Sequence, residues 1–428
     1  MTTTDNNLYM LYADEKDKVY DDPGHYALFR TGNRIVTLEA DELIELPFGS
    51  YLFSLPGRLP MGLDAGTGKL NSPTADSEGR LIRGASAFLA SGYLRTFLPA
   101  YKESEGAPKL PLWAYAGAAY RDGKVLVPAM RIDDDPRSDP KIHQDREALV
   151  TAIGGVEKQY PENRLVKQLH TCSLDYDCLC ARNFFLSRHE APLPTSPACN
   201  ARCAGCLSHQ GDDAGFSASQ FRLTFEPTVE EIAQVTLHHF EAVDEAVASF
   251  GQGCEGEPLL RGNDLARSIG AVREKTDRGT ININTNGSLP ETVKAMIDAG
   301  LDSIRVSMNS PTEEAYNRYY QPKNYSFADV LKTLEVALDA GIWVSVNLFF
   351  MPGFTDSEEE VEALIGFLER FPVNMIQARN LNIDPDLYFE TIGFTGSEPV
   401  GIRDMVDYFK EEFSSVRWGY YNPAKESF

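Results

Sequence analysis

The chain has 428 residues, 43% of them hydrophobic and 24% charged, with a formal net charge of -23. This is the composition of a folded soluble protein rather than a disordered or fibrous one, and the length suits a principal domain with an accessory region. The acidic balance disfavours nucleic-acid substrates, because affinity for phosphate backbones comes mostly from Lys and Arg. Residues 1–17 carry no basic patch leading into an apolar run, and no 18-residue apolar stretch occurs, so a cytoplasmic protein with no membrane partner is expected.

From Leu8 to about Ile132 short strand-like runs, at 34–38, 49–55 and 124–128, are separated by Gly, Pro and Asp turns. Residues 1–135 are expected to form a β-rich accessory domain. The acidic turn cluster at 133–140 interrupts this pattern and 145–169 becomes helical. Residues 136–189 are therefore read as a helical linker, which carries Cys172, Cys178 and Cys180.

After Glu190 strands alternate with helices. Thr228 with Glu231, and Ser288 with Glu291, have the spacing of capping boxes at helix starts. The second helix places Val293, Met296 and Ile297 on one face and is expected to stop at Gly300. Strands are predicted at 244–250, 302–308, 342–350 and 375–381, with helices over 327–340 and 357–370. Strands joined through such helices run parallel, which implies a doubly wound sheet or a β/α barrel; the pattern alone does not choose. Residues 400–428 are read as a C-terminal helix and an aromatic tail that folds back on the accessory region or covers the barrel.

Six of the seven cysteines fall between Cys172 and Cys206, with Cys254 the seventh. Close-set thiols in a chain without a secretion signal point to metal binding or redox chemistry. The segment SPACNARCAGCLS, 196–208, sets Cys199, Cys203 and Cys206 at spacing CxxxCxxC. Three thiolates in one loop can hold three corners of a cubane and leave one iron open. The competing reading is a structural zinc site completed by a nearby Cys or His.

CxxxCxxC at the head of a run of βα units resembles the signature of the radical S-adenosylmethionine (SAM) superfamily, and the resemblance covers roughly 190–384. A second segment, GQGCEGEPLL at 251–260, is similar to the GGE-type element that binds the SAM amino group, with Gly256 and Glu257 in that role. The resemblance implies an α/β protein whose residues 190–399 form a partial (β/α)6 radical SAM barrel, following a mostly β N-terminal region. It implies a 4Fe-4S cluster that reductively cleaves SAM to a 5′-deoxyadenosyl radical, which abstracts hydrogen from a small-molecule or peptide substrate, with a low-potential flavodoxin or ferredoxin as reductant. Asn284 and Asn286 in INTNGS, and Ser307 and Asn309 in SMNS, fall at strand ends where ribose and carboxylate contacts are expected by analogy. So do Asn347 and the run QARNLN at 377–382, which would hold substrate or parts of SAM, or simply cap the barrel. One departure stands out: many members place an aromatic residue just before the third cysteine, where this chain has Gly205, so adenine must be contacted from elsewhere.

Four thiols remain. Cys172, Cys178, Cys180 and Cys254 are either a second iron-sulfur cluster or ordinary reduced cysteines, and Cys254 alone is a candidate hydrogen-atom donor. A non-catalytic protein that binds zinc or carries electrons on iron-sulfur is the alternative function; the Gly-rich acidic turn and the succession of βα units favour the enzyme. No substrate motif is recognisable.

Overall fold

In the computed structural model, which describes residues 7–136, 139–210 and 218–428, the strand-prone runs of the first third pair antiparallel. The largest sheet centres on Tyr9–Ala13, which pairs with Val19–Ala27, Arg83–Phe88 and Ala119–Arg121. Asp122 and Gly123 both adopt positive φ (50° and 81°) and turn Ala119–Arg121 into Lys124–Val127, the backbone a two-residue hairpin requires. The other expected runs appear as Arg34–Val36 and Tyr51–Leu55. Of the acidic turn cluster, Arg137 and Ser138 lie outside the described residues.

Helices Arg146–Gln159 and Arg164–Leu174 follow. Asp145 and Asn163 cap them by accepting from Ala148 N at 2.9 Å and Val166 N at 3.1 Å. A third helix, Leu179–Phe185, leads into the principal sheet.

That sheet has seven parallel strands in sequential order: Glu190–Leu193, Val247–Phe250, Thr280–Thr285, Ser303–Met308, Trp343–Phe350, Met375–Asn380 and Arg417–Gly419. A doubly wound sheet reverses its order at a switch point; this one never does, which settles the choice in favour of a barrel. The expected six strands are followed by a short seventh. Asn422, just after it, donates to Glu190 Oε1 at 2.7 Å, so the ends of the sheet curl toward each other. The tail closes the amino ends of the strands: Lys425 N donates to Thr280 Oγ1 at 2.7 Å and Phe428 stacks on Trp343. Among the described residues no helix is long and apolar enough to cross a membrane.

Period-two alternation sorts the strand residues. Ile304, Val306 and Met308 are fully buried under the helices, whereas Arg305 bonds to Gln377 two strands away, a reach possible only across the concave inner face. Register then puts Ser249, Asn282, Asn284, Ser303, Ser345 and Asn347 on that face as well. Barrel interiors are normally filled by Val, Ile and Leu; this one is lined by amides and hydroxyls.

Thr228 and Glu231 form the expected capping box, with Thr228 N to Glu231 Oε2 at 2.8 Å and Glu231 N to Thr228 Oγ1 at 3.2 Å. The box expected at Ser288 does not form. Its helix starts at Pro290 after Leu289, and the Ser288 hydroxyl instead accepts from Asn200 Nδ2 at 2.9 Å, drawn away by a side chain of the cysteine loop.

The N-terminal sheets and the barrel share one apolar cluster, in which Leu94, Leu98 and Tyr115 join Val344 and Ile376. Three buried arginines of the first third reach the segment after the sixth barrel strand. Arg58 pairs with Asp384, both about 1% exposed, and Arg30 pairs with Asp386. Arg95 N donates to Asn380 Oδ1 at 2.9 Å and its Nη1 to Asn382 Oδ1 at 3.1 Å. The amides of QARNLN therefore divide, with Asn380 and Asn382 holding the N-terminal region rather than facing the barrel.

Candidate iron-sulfur and SAM site

The loop after the first barrel strand is held from two sides. Arg202 N donates to Tyr320 O at 2.8 Å, Ala204 N to Tyr319 O at 3.0 Å and Lys323 N to Asn200 O at 2.8 Å, which ties the loop to the helix Glu313–Tyr320. From the other side Gly256 N donates to Ser196 O at 2.7 Å and Glu257 N to Ala198 O at 2.8 Å. A Cβ on Gly256 would lie 1.9 Å from Ala198 O, and one on Gly251, at φ +77°, would lie 1.7 Å from Asn284 O. Only glycine allows either approach.

Two carboxylates organise this contact. Glu257 Oε2 accepts from Asn286 N at 2.9 Å, while its Oε1 accepts from Leu259 N at 3.0 Å and Thr285 Oγ1 at 2.5 Å. Glu255, which the sequence reading passed over, accepts from Thr195 N, Ser196 N, Gly251 N and Gln252 N and so pins the turn to the end of the first strand. Burial raises both carboxyls to about 7 against these bonds. The only signal for Glu255 was its place two residues before Glu257.

Cys199, Cys203 and Cys206 are half-buried and lie within one another's electrostatic reach. Burial, then the charge of Glu257, pushes Cys199 up to about 11, and burial raises Cys203 as well. The Arg222 guanidinium stands 3.6 Å from Cys206 Sγ, and Ala201 N is 3.4 Å from Cys199 Sγ. Among the described residues no three His, Cys, Asp or Glu side chains converge closely enough for a single metal ion. In a cubane each thiolate would bind a different iron, and the nearby guanidinium and N–H donors would offset the charge of such a set.

Residues 193–367 match the family model described as the radical SAM superfamily. This segment is a radical SAM core. Over 171 residues, 39% of this chain and 44% of the relative, the sequence is 26% identical to a probable GTP 3',8-cyclase of Aeropyrum pernix. It is 27% identical over 182 residues, 39% of this chain and 38% of the relative, to the FeMo cofactor biosynthesis protein NifB of Klebsiella pneumoniae. Native anSMEcpe with bound AdoMet is a structural neighbour, 15% identical, with a TM-score of 0.39 over 53% of this chain and 62% of that one. The chain spans about half the length of the curated relatives it matches. Radical SAM proteins use a 4Fe-4S cluster and SAM.

The other predicted residues of the radical SAM core separate by position. Asn286 joins the two motifs, donating to Asn200 Oδ1 at 2.8 Å while its backbone meets Glu257. Asn284 is enclosed, its Nδ2 bonded to Phe250 O at 2.9 Å and its Oδ1 to Asn282. Ser307 accepts from Asn347 Nδ2 at 3.3 Å inside the barrel. Asn309 is fully buried on the outer side, bonded to Ala315 O and Tyr388 OH, each at 3.2 Å. Beside Gly205 stands Tyr319, whose hydroxyl would be 3.2 Å from a Cβ there.

Of the four remaining cysteines, Cys172, Cys178 and Cys254 lie within one another's electrostatic reach and Cys180 within that of Cys178. The neighbouring Cys172 thiol, then burial, raises Cys254 well above its ordinary value, and Cys178 raises it further. The Cys180 thiol lies 3.8 Å from Glu190 O, in the field of Arg305 and Arg379. His170 is engaged with Glu157 at 2.7 Å and His209 is exposed.

Proposed function

We propose that this protein is a radical SAM enzyme in which Cys199, Cys203 and Cys206 hold the 4Fe-4S cluster and the turn at Gly256 and Glu257 receives the SAM amino group. The observation that carries this reading is the direct backbone seam between the cysteine loop and the acidic glycine turn, at Ser196, Ala198, Gly256 and Glu257. Cluster and SAM together would supply a 5′-deoxyadenosyl radical for hydrogen abstraction. The protein's part is to orient: the seam fixes the turn against the loop, Asn286 and Asn200 bridge the two motifs, and Arg222 offsets the thiolate charge. A flavodoxin or ferredoxin is the proposed reductant.

The relatives include GTP 3',8-cyclases and the FeMo cofactor biosynthesis protein NifB, whose names give different activities. Because this chain matches about half of each, the shared portion supports the radical-forming chemistry and leaves the substrate to the rest of the molecule. The zinc or electron-carrying alternative has no use for the Glu257 turn. Anaerobic reconstitution, reduction with dithionite and assay for 5′-deoxyadenosine test the reading. Wild type should release it, and Cys203→Ala should lose both the cluster absorbance and SAM cleavage; a Cys203→Ala chain that cleaves SAM normally overturns the assignment.

A further inference from the structure

We infer that the barrel interior binds an anionic small molecule, whose phosphate or carboxylate group is held by Arg305 and Arg379. The inference rests on the barrel being the substrate chamber of the enzyme proposed above.

Both arginines project from the inner face, and they lie close enough for each to feel the other's charge. Arg305 Nη1 donates to Gln377 Oε1 at 2.9 Å; its Nε and Nη2 have no acceptor among the described residues. Arg379 lies over the Tyr420 ring, 3.5 Å from its centroid, and donates to Tyr420 O and, at 3.5 Å, to Gln377 Oε1; its Nε is likewise without an acceptor. Neither guanidinium has a carboxylate within ion-pair distance among the described residues.

Glu190 lies within electrostatic reach of Arg305 without an ion pair to it, and its Oε1 accepts from Ser249 Oγ at 2.6 Å and Asn422 Nδ2 at 2.7 Å. Holding two like charges half-buried and close together without an ion-paired carboxylate is unfavourable. An oxyanion between the two forks would accept the free N–H groups and cancel the repulsion. Arg379 sits two residues nearer the carboxyl ends than Gln377, the residue level with Ser307, whereas Arg305 sits two residues deeper than Ser307, about 7 Å further from the carboxyl ends where the cysteine loop lies. That depth separates Arg305 from the turn assigned to SAM.

The test is calorimetric titration of the reconstituted full chain with inorganic pyrophosphate and, separately, malonate, which distinguish a phosphate from a carboxylate ligand. Wild type should bind at least one of them at a single saturable site. Arg305→Met and Arg379→Met should each weaken binding at least about tenfold, with Arg305→Lys in between, while SAM affinity stays within about twofold. A variant that loses its iron or its circular dichroism is set aside, and wild type with Arg305→Lys then decides.

Three results overturn the inference. The first is wild type that fails to saturate with either anion up to about 10 mM; the second is well-folded variants, Arg305→Lys among them, that bind as wild type does; the third is SAM affinity that falls in parallel, which would make the arginines the seat of the SAM carboxylate. Cys203→Ala, which should not cleave SAM, should still bind the anion. Wild type that binds the anion but never releases 5′-deoxyadenosine would sink the reading of the previous subsection and leave this one standing.

Discussion

Two pairs of arginines are treated oppositely: Arg30 and Arg58, buried where the N-terminal sheets dock, and Arg305 and Arg379, half-buried in the barrel. Where the N-terminal sheets dock on the barrel, Arg58 meets Asp384 and Arg30 meets Asp386, each with its counter-ion, while their neighbour Arg95, about 1% exposed, meets only an amide, backbone carbonyls and a thioether. Inside the barrel, Arg305 and Arg379 meet amides, a backbone carbonyl and an aromatic face. Unpartnered Nε atoms do not separate the groups, since Arg58 has one too; the carboxylate does. A charge paired within the fold belongs to the architecture, and a charge left unpaired in a polar chamber is available to a ligand.

The comparison is sharpest in stability. Arg58→Met strands Asp384 as an uncompensated buried carboxylate and should cost about 3–5 kcal/mol. Arg305→Met removes a cation that has no counter-ion and should change stability by less than about 1 kcal/mol, or raise it. Denaturant midpoints measure both. If Arg305→Met is as damaging as Arg58→Met, the interior arginines are structural and the distinction fails.

Glu360 is an acidic counterpart, a buried carboxylate whose partners are the Ser310 hydroxyl at 3.0 Å and the Thr312 hydroxyl at 3.4 Å. Burial raises it from 4.5 to about 7 despite those bonds. Unfolded chains release this proton near the ordinary value and the folded chain only near 7, so the native state holds more protons between the two. Stability should therefore fall as pH rises through that window and level off above it. Glu360→Gln removes the titration: it should match wild type at the acid end and exceed it by about 1–3 kcal/mol at slightly alkaline pH. Equal pH profiles for the two chains would show that Glu360 is solvated.

The smallest effect concerns Tyr420. Burial pushes its phenol up, but the Arg379 charge and hydrogen bonds from Ser91 and Arg379 outweigh this, and its ionisation falls below the ordinary 10. Arg379→Met should move that ionisation to higher pH, followed by NMR of ring-labelled tyrosine with Tyr420→Phe for assignment. No movement would place the guanidinium elsewhere than over the ring.

Much of the site could be read from local sequence because its parts are local. The CxxxCxxC loop, the Gly256–Glu257 turn and the Thr228 cap each depend on residues a few positions apart, whose spacing is itself the chemical requirement. The parallel strands were equally legible, since helix-length crossovers leave no other direction. Ser288 was misread because its hydroxyl answers to Asn200, 88 residues away, rather than to its own helix.

Sequence alone thus determined the cysteine loop, the acidic glycine turn and a succession of parallel βα units, all of them consequences of short-range spacing. Tertiary structure decided what depends on closure. It chose a barrel over a doubly wound sheet, gave Asn380 and Asn382 to docking, placed Cys254 beside Cys172 and gathered Arg305, Arg379 and Asn422 around Gln377. The reason is physical: alternation says only that a side chain faces one side of its sheet, and which side becomes an interior, and with whom it is shared, is set when the sheet curls.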